Sequence, residues 1–334
     1  MQMNVNMSAD NTTNTSSVIK PIDLSEDNEL LREMSSFNKI TTLTIVVIPF
    51  LATIYGLCSG FASSLDFGLL SMMYFITAVG ITTGYHRLLT HCAFDTSRIM
   101  KYLFAICGTM AAQGSVLTWV SDHRKHHRLT DREGDPHSPH LHEDHGFWAS
   151  MKGLYHAHMG WLLQDRELSD WRIYAKDLYK DEGMRIISRN SGLIFLAGLL
   201  IPTILGGILS SSVKGALSGF LWGGLIRIFL GHHVTWSINS ICHFHGFRDF
   251  RTKDYSTNVP WLSLISFGES WHNNHHAFPR SAEHGMKWWQ IDISHYIISA
   301  LEKLGLVWNV VRYSDIEKDK KRVRAFSLTP LRGV

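Results

Sequence analysis

Histidines recur in this chain at spacings that suit metal binding. Two stretches, residues 121–130 and 269–279, each place three histidines at offsets i, i+3 and i+4. They are His123, His126 and His127 in the first stretch and His272, His275 and His276 in the second. On a helix these offsets bring three imidazoles to one face about one turn apart, where they can converge on an ion. The chain has 20 histidines, but chance does not explain the repeated spacing, which predicts a metal site.

Further candidate ligands lie at the ends of two apolar segments. His86 and His91 are five residues apart, about 140° around a straight helix, so they converge only if the helix frays or if they bind different ions. His243 follows Asn239 by four residues on one helical face. Polar groups that close to hydrocarbon are costly unless they have a task.

The nine histidines are too many for one ion and fit two ions that share a site. Imidazole suits zinc, copper, iron and nickel. A structural zinc site has four ligands and usually includes cysteine. Nine imidazoles at the mouth of apolar segments therefore favour redox or oxygen chemistry on an apolar substrate.

Four apolar runs are the elements that must position these histidines. They cover residues 40–60, 67–86, 191–212 and 216–242. Each approaches the ~20 apolar residues that cross ~30 Å of hydrocarbon. We expect an all-α integral membrane protein with four transmembrane helices.

The runs form two tight hairpins, which puts the N-terminus, residues 86–190 and everything after about residue 240 on one side of the membrane. These segments carry nearly all the Lys and Arg, so the termini and the histidines are expected to be cytoplasmic, at the inner membrane of a bacterium or the endoplasmic reticulum of a eukaryote. The predicted organisation is a flexible polar tail over 1–38 without a signal peptide, a four-span domain over 39–290 and a cytosolic tail over 291–334.

Composition excludes other classes of protein. The net charge of +3 gives no indication of a nucleic-acid partner. The four cysteines include no CxxC spacing, which predicts reduced thiols and no disulfide framework.

Four sequence segments together resemble the membrane fatty-acyl desaturases of the stearoyl-CoA (delta-9) type. They are GYHRLLTH at 84–91, DHRKHHR followed by DPH at 122–137, NSICH at 239–243 and WHNNHHAFP at 271–279. The resemblance covers residues 40–290. It implies four transmembrane helices under a cytosolic helical cap that holds the two-metal site. It also implies two iron ions held by the nine histidines, with Asn239 holding a metal-bound water. It further implies dioxygen as co-substrate and removal of two hydrogens from adjacent methylenes of a fatty-acyl chain.

The resemblance also implies a substrate tunnel. Gln113, Trp119, Thr235 and Trp236 match positions that shape its bend, and Tyr74 and Ala78 match positions that close it. His232 lies on the same helical face as Asn239, and we expect it to line the tunnel as well.

Carboxylates near the histidines are expected to hold them in place, because metal-bound imidazoles usually donate their other N–H to a carboxylate or carbonyl. The candidates are Asp122, Asp131, Asp135 and Glu269. Each can equally be a solvated or capping residue.

The sequence departs from the acyl-CoA enzymes where those carry basic residues for the CoA head group. It has Ser121 before the second histidine group and Gln164, Asp165 and Arg166 after the GWLL segment. A lipid-linked or carrier-linked acyl group therefore competes with acyl-CoA, although Arg124, Lys125 or Lys152 could compensate.

The electron donor is expected to be external. The sequence has no HPGG-type haem-binding segment of a fused cytochrome b5, which indicates a separate cytochrome b5, ferredoxin or rubredoxin with its reductase. The C-terminal segment has three possible roles: it can dock the electron donor, bind anionic lipid headgroups, or be a plain solvated terminus. It carries Trp288, Trp289, Lys318, Lys320, Lys321, Arg322 and Arg324.

Two other functions remain compatible with the histidine pattern. A membrane di-iron hydroxylase or ketolase would use the same oxidant and return oxygen to carbon. A non-catalytic metal-binding or transport protein would need ionisable residues deep in several spans, whereas the histidines here cluster at one membrane face.

Overall fold

The structure of the protein, a computed structural model, describes residues 24–60, 62–140, 146–163 and 169–323, with the backbone alone for 24–39. The expectations for residues 1–23, for Gln164, Asp165 and Arg166, and for Arg324 fall outside this range. Within it, sheet structure is confined to the two-residue strands β1 (Asp95–Thr96) and β2 (Val307–Trp308), which pair antiparallel. The predicted all-α class is confirmed.

The first hairpin consists of α1 (Leu24–Ser59) and α2 (Ser64–Val79). A π-helical segment, Gly80–Thr90, continues α2 without a break. Helix α1 begins inside the predicted flexible tail, because the Leu, Glu, Arg and Met of its first turns are strong helix formers. Ser63 and Asp66 form a capping box that starts α2 sharply after the turn.

Six helices then form the first part of the cap over the membrane bundle. They are α3 (Arg98–Thr109), α4 (Val116–Leu129), α5 (Phe147–His158), α6 (Trp171–Tyr174), α7 (Lys176–Lys180) and α8 (Glu182–Arg189). Helix α3 packs on the π segment at backbone distance, since a Cβ on Gly80 would lie 2.2 Å from the Gly108 nitrogen. This contact fixes the segment that carries the first histidines.

The second hairpin consists of α9 (Ser191–Ser210), α10 (Val213–Gly219), a second π segment (Phe220–Ile226) and α11 (Arg227–Ser240). A 3-10 turn over Ile241–His243 ends it. The rest of the cap contains α12 (His272–Ala277), α13 (Ile293–Lys303) and α14 (Asp315–Lys321).

Four helical stretches are long and apolar enough to cross a membrane. They are Ile40–Ser59, Ser64–Thr90, Ser191–Ser210 and Val213–His243. The first and third have only 17% and 22% of their most apolar windows buried, against 39% for the second and fourth. The second and fourth therefore form the centre of the bundle, and both extend further toward the cap than the apolar runs predict.

Candidate metal centre

Five histidines from three elements form one cluster. His86 lies in the first π segment and His91 caps its end, His123 and His127 lie in α4, and His275 lies in α12. One nitrogen of each lies within 4.8 Å of all the others. The Nε2 atom of His275 is 3.2 Å from that of His86 and 3.0 Å from that of His127. The Nε2 atoms of His123 and His127 are 3.1 Å apart.

The π segment explains how His86 and His91 converge. A π turn closes with an i→i+5 hydrogen bond, and the His91 N–H donates to the His86 carbonyl over 3.1 Å. Residues five apart therefore lie on nearly the same face, and the two rings are 4.8 Å apart. Neither alternative that a straight helix left open, a frayed helix or two histidines on different ions, is needed to bring His86 and His91 together.

The other four histidines form a second cluster beside the first. They are His126, His243, His272 and His276. The Nε2 atom of His272 lies 2.9 Å from that of His243 and 3.0 Å from that of His276.

Both three-histidine helices contribute to both clusters. Helix α4 gives His123 and His127 to the five-histidine cluster and His126 to the four-histidine cluster. Helix α12 divides its side chains in the same way, and the rings of His127 and His276 stack with centroids 4.6 Å apart where the clusters meet. The two clusters are thus parts of one centre.

Four carboxylates hold histidines of the centre through Nδ1. The pairs are His86 with Glu269 at 2.5 Å, His126 with Asp135 at 2.9 Å, His243 with Asp131 at 3.0 Å and His276 with Asp254 at 3.1 Å. A histidine that donates Nδ1–H to a carboxylate has a lone pair on Nε2 for a metal. Sequence reasoning named three of these carboxylates but missed Asp254, which lies 22 residues before its partner. Asp122 is buried in α4 and belongs to none of the four pairs.

Six of the seven cluster histidines outside the membrane spans are poised as neutral ligands. At His126 the effect of burial is outweighed by the charge and hydrogen bond of Asp135, which raise the pKa of that imidazole above 6.5. Burial and the neighbouring imidazoles hold the pKa values of His91, His123, His127, His272 and His275 well below 6.5. Burial lowers the pKa of His276 to about 4. Burial alone would raise the pKa of Asp254, but the hydrogen bond and charge of His276 outweigh it and keep that carboxyl below its usual range. Neutral imidazole beside a charged carboxylate is the form that binds metals.

The donor set fits metal ions. Nε2 of His91 and Nε2 of His126 are buried and have no hydrogen-bond partner among the described residues. The Nδ1 atoms of His243 and His276 face carboxylates, so their Nε2 atoms carry lone pairs. Both lone pairs point at Nε2 of His272, which has at most one proton and therefore cannot donate to both. Neighbouring nitrogens on one ion with bonds of ~2.1 Å lie ~3.0–3.4 Å apart. The shortest Nε2 separations within each cluster, 2.9 to 3.2 Å, are of this order.

A buried ionic network supports the centre from outside. The Arg87 guanidinium donates to Glu269 at 3.0 Å and to Asp292 at 2.9 Å, and its side chain is fully buried. Asp292 also accepts from the backbone N–H of His284, whose ring lies 3.4 Å from Glu269. Sequence reasoning missed Arg87, His284 and Asp292. Arg87 directly follows His86, but its partners are about 180 to 205 residues away in the sequence.

One cavity adjoins both clusters. Its walls include His86 and His123 of the first cluster, His272 of the second, and Asn239. The predicted tunnel residues found in the lining are Tyr74, Ala78, Gln113, Trp119 and Thr235.

His232 and Trp236 are outside that lining. His232 is buried and donates from Nε2 to the Ala112 carbonyl over 3.0 Å. Trp236 packs against the rings of His232 and His158, at 5.0 and 5.8 Å. His232 does share a helical face with Asn239, but at its level the loop before α4 lies between it and the cavity.

The residues considered for a CoA head group are engaged elsewhere or exposed. Ser121 is fully buried and donates to the Leu117 carbonyl. Arg124 pairs with Asp177 at 2.6 Å and donates to the Leu89 carbonyl at 2.7 Å. Lys152 is exposed on α5, and Lys125 is half-buried on α4.

The C-terminal aromatic and basic residues are only partly available to a partner. Trp288 is 94% exposed and Trp289 is 40% exposed. Lys318 is buried and lies 3.6 Å from Glu283, so it does not extend the exposed basic cluster of Lys320, Lys321 and Arg322.

The fold and the site together define a chain with four candidate membrane spans and nine histidines in two adjoining clusters that could hold metal ions, beside a mainly apolar cavity. The family model of the fatty acid desaturases matches residues 63–312, about three quarters of the sequence. The chain belongs to the fatty acid desaturase family and is an oxidoreductase of the membrane.

Curated relatives agree with that assignment. The protein is 47% identical to a hex-5-enoyl-[acyl-carrier protein] acetylenase of Moorena producens, over 74% of its own length and 77% of the relative. It is 41% identical to delta-9 acyl-lipid desaturase 1 of Arabidopsis thaliana, over 74% and 75% of the two proteins. It is also 37% identical to an sn-1 stearoyl-lipid 9-desaturase of Synechocystis, over 73% and 71%. Its relatives thus differ in reaction and in acyl carrier.

Proposed function

We propose that this protein is an oxygen-dependent di-iron desaturase that introduces a cis double bond, at the delta-9 position, into a saturated lipid-linked acyl group. The observation that carries the proposal is that the walls of one and the same cavity include histidines of both clusters. An acyl group seated there passes beside both metal positions.

Iron is proposed because the donor set is imidazole alone and the protein is an oxidoreductase. His86, His91, His123, His127 and His275 would hold one ion, and His126, His243, His272 and His276 the other. When bound, the pair would supply the oxidising power for the reaction. In it a CH2–CH2 unit, one O2, two electrons and two protons give CH=CH and two waters. Asn239, which lines the same cavity, is proposed to hold a metal-bound water.

The protein's own residues orient the substrate. A C–H bond in the middle of an acyl group has no polar handle, so the shape of the cavity must select the carbon, and a misplacement of about 1 Å can cost ~100-fold in rate. Gln113 donates to Thr235 over 2.9 Å, and its carbonyl oxygen accepts from Trp119 over 3.2 Å. These bonds cross the cavity wall and fix the proposed bend. At the far end the Tyr74 hydroxyl donates to the Ile265 carbonyl over 2.6 Å, which is proposed to close the tunnel.

A lipid-linked substrate is supported by two observations. Relatives from Arabidopsis and Synechocystis are named for acyl-lipid and stearoyl-lipid substrates. Arg124, which could have met a CoA phosphate, is held by Asp177.

The proposed orientation places the centre on the cytoplasmic side, where the Lys and Arg lie. There an external cytochrome b5, ferredoxin or rubredoxin would supply the electrons.

The test is the fatty-acid profile of a host that expresses the protein, by gas chromatography and mass spectrometry after double bonds are derivatised. A His275→Ala variant is the control, and purified protein is analysed for iron. A new delta-9 monoene that the control lacks supports the proposal. A hydroxylated or acetylenic acid overturns the reaction, and absence of product after each donor class has been added overturns the function. Assays with labelled phospholipid, acyl-CoA and acyl-carrier protein identify the carrier.

A further inference from the structure

The loop between α3 and α4 is held by polar side chains from inside the membrane bundle. This loop, residues 110–114, lines the cavity through Ala111 and Gln113. Three polar side chains of helix α11 contact this loop. Arg227 and His232 donate to its backbone, and Thr235 accepts from the side-chain amide of Gln113.

Arg227 is placed unusually for a charged residue. It is 1% exposed within the fourth span, and its guanidinium donates to the carbonyls of Met110 at 2.7 Å, Gly198 at 3.0 Å and Gly223 at 3.2 Å. Met110 caps the C-terminus of α3, where the helix dipole concentrates negative charge. Because one buried guanidinium binds the carbonyl at the end of α3 and carbonyls within the third and fourth spans, it ties α3 to both spans.

His232 holds the next part of the loop in a conformation that its sequence does not favour. The residue whose carbonyl it binds, Ala112, has φ of +62°, in the left-handed region that alanine rarely adopts. Such backbone persists only where surrounding contacts enforce it, and it is concentrated at functional sites. Immediately after it, Gln113 makes the two hydrogen bonds that cross the cavity wall.

We propose that Arg227 and His232 are positioning residues that set which carbon of the acyl group is oxidised, by holding the 110–114 loop and hence Gln113 against the cavity. The inference rests on the proposed function and deepens it. Neither residue lines the cavity or belongs to a histidine cluster, so their loss changes the placement of the substrate and leaves metal binding intact.

The test compares His232→Leu, which removes the donor, with His232→Gln, which keeps one. His233→Leu is the matched control, because it makes the same change at the next residue, which bonds to His158 instead of the loop. Bond position, turnover and iron content are measured for each. We expect His232→Leu to lose on the order of tenfold of the turnover at the parent carbon, since about 1 Å of misplacement can cost ~100-fold. A displaced double bond should appear while iron content stays at the parent level.

A second-site change makes the test specific. Ala112→Gly lets the loop adopt positive φ without the histidine, because glycine populates that region freely. It should restore part of the parent bond position in His232→Leu. Parent turnover and bond position in His232→Leu overturn the inference, as does equal loss of iron and product in His232→Leu and His232→Gln, or failure of Ala112→Gly to rescue. A wild-type enzyme that makes no monoene refutes the proposed function, a separate result.

Discussion

Asp254 is predicted to fix which nitrogen of His276 carries the proton. Its Oδ2 accepts from His276 Nδ1 at 3.1 Å, while its Oδ1 accepts from the hydroxyls of Ser256 at 2.5 Å and Thr252 at 2.6 Å. In Asp254→Asn the two hydroxyls retain the oxygen, so the amide NH2 faces His276. The Nδ1 atom must then accept, and the proton moves to Nε2, which points at the metal site.

The expected loss can be worked from this change. Removing a partner of a ligating histidine costs 10- to 100-fold in metal affinity, which corresponds to ~1.4–2.7 kcal/mol. Asp254→Ala should cost less than Asp254→Asn, because water can enter and accept the Nδ1–H. If only the carboxylate charge mattered, the two variants would lose equally.

The assay is iron per protein molecule in detergent-purified samples, titrated with a competing chelator. Asp249→Asn is the matched control, since Asp249 lies in the same segment and pairs with Lys287 at 2.5 Å instead of a histidine. Asp254→Asn protein that keeps its iron at the same chelator concentration as wild type refutes the reasoning.

Three further predictions concern steric fit and proton uptake. Gly80→Ala is expected to lower thermal stability and iron content, because its Cβ would lie 2.2 Å from the backbone of α3; Gly68→Ala, with nothing within 4 Å, should have little effect, and equal outcomes would contradict the contact. Ala78→Leu should shift products toward shorter acyl groups in a length profile, while Ser71→Leu, exposed on the same helix, should not; an unchanged profile for the first would remove Ala78 from the tunnel. Burial, then the charge of the neighbouring guanidinium, lowers the pKa of His284 to about 4 from 6.5, so its contribution to stability is complete above pH 6.5 and is lost as pH falls toward 4. His284→Gln should reduce this loss of unfolding free energy between pH 6.5 and 4, which is worth up to ~3 kcal/mol in wild type, in unfolding experiments run across that pH range. An unchanged dependence of the unfolding free energy on pH would contradict the role given to His284.

The sequence predicted features that depend on local spacing. Histidines at i, i+3 and i+4 do share faces of α4 and α12, and the apolar runs do correspond to four spans. His91 was named as a candidate ligand, but the way it converges with His86 was not predicted, because straight-helix counting ignores a π segment, which leaves no clear sign in composition.

Contacts between distant segments could not be predicted in the same way. Asp254 and His284 reach the centre only after the cap folds, and no spacing relative to a histidine group singles them out. His232 lies on the predicted face, but the loop that covers that face at its level comes from a segment 120 residues earlier.

The sharing of α4 and α12 between the two clusters makes the two ions thermodynamically dependent on each other. For the proposed pair of ions, the first ion to bind would restrain both helices and so reduce the conformational entropy lost when the second ion binds. By linkage the second ion would strengthen the binding of the first by the same factor. We therefore expect the proposed pair to load cooperatively, with few half-loaded molecules.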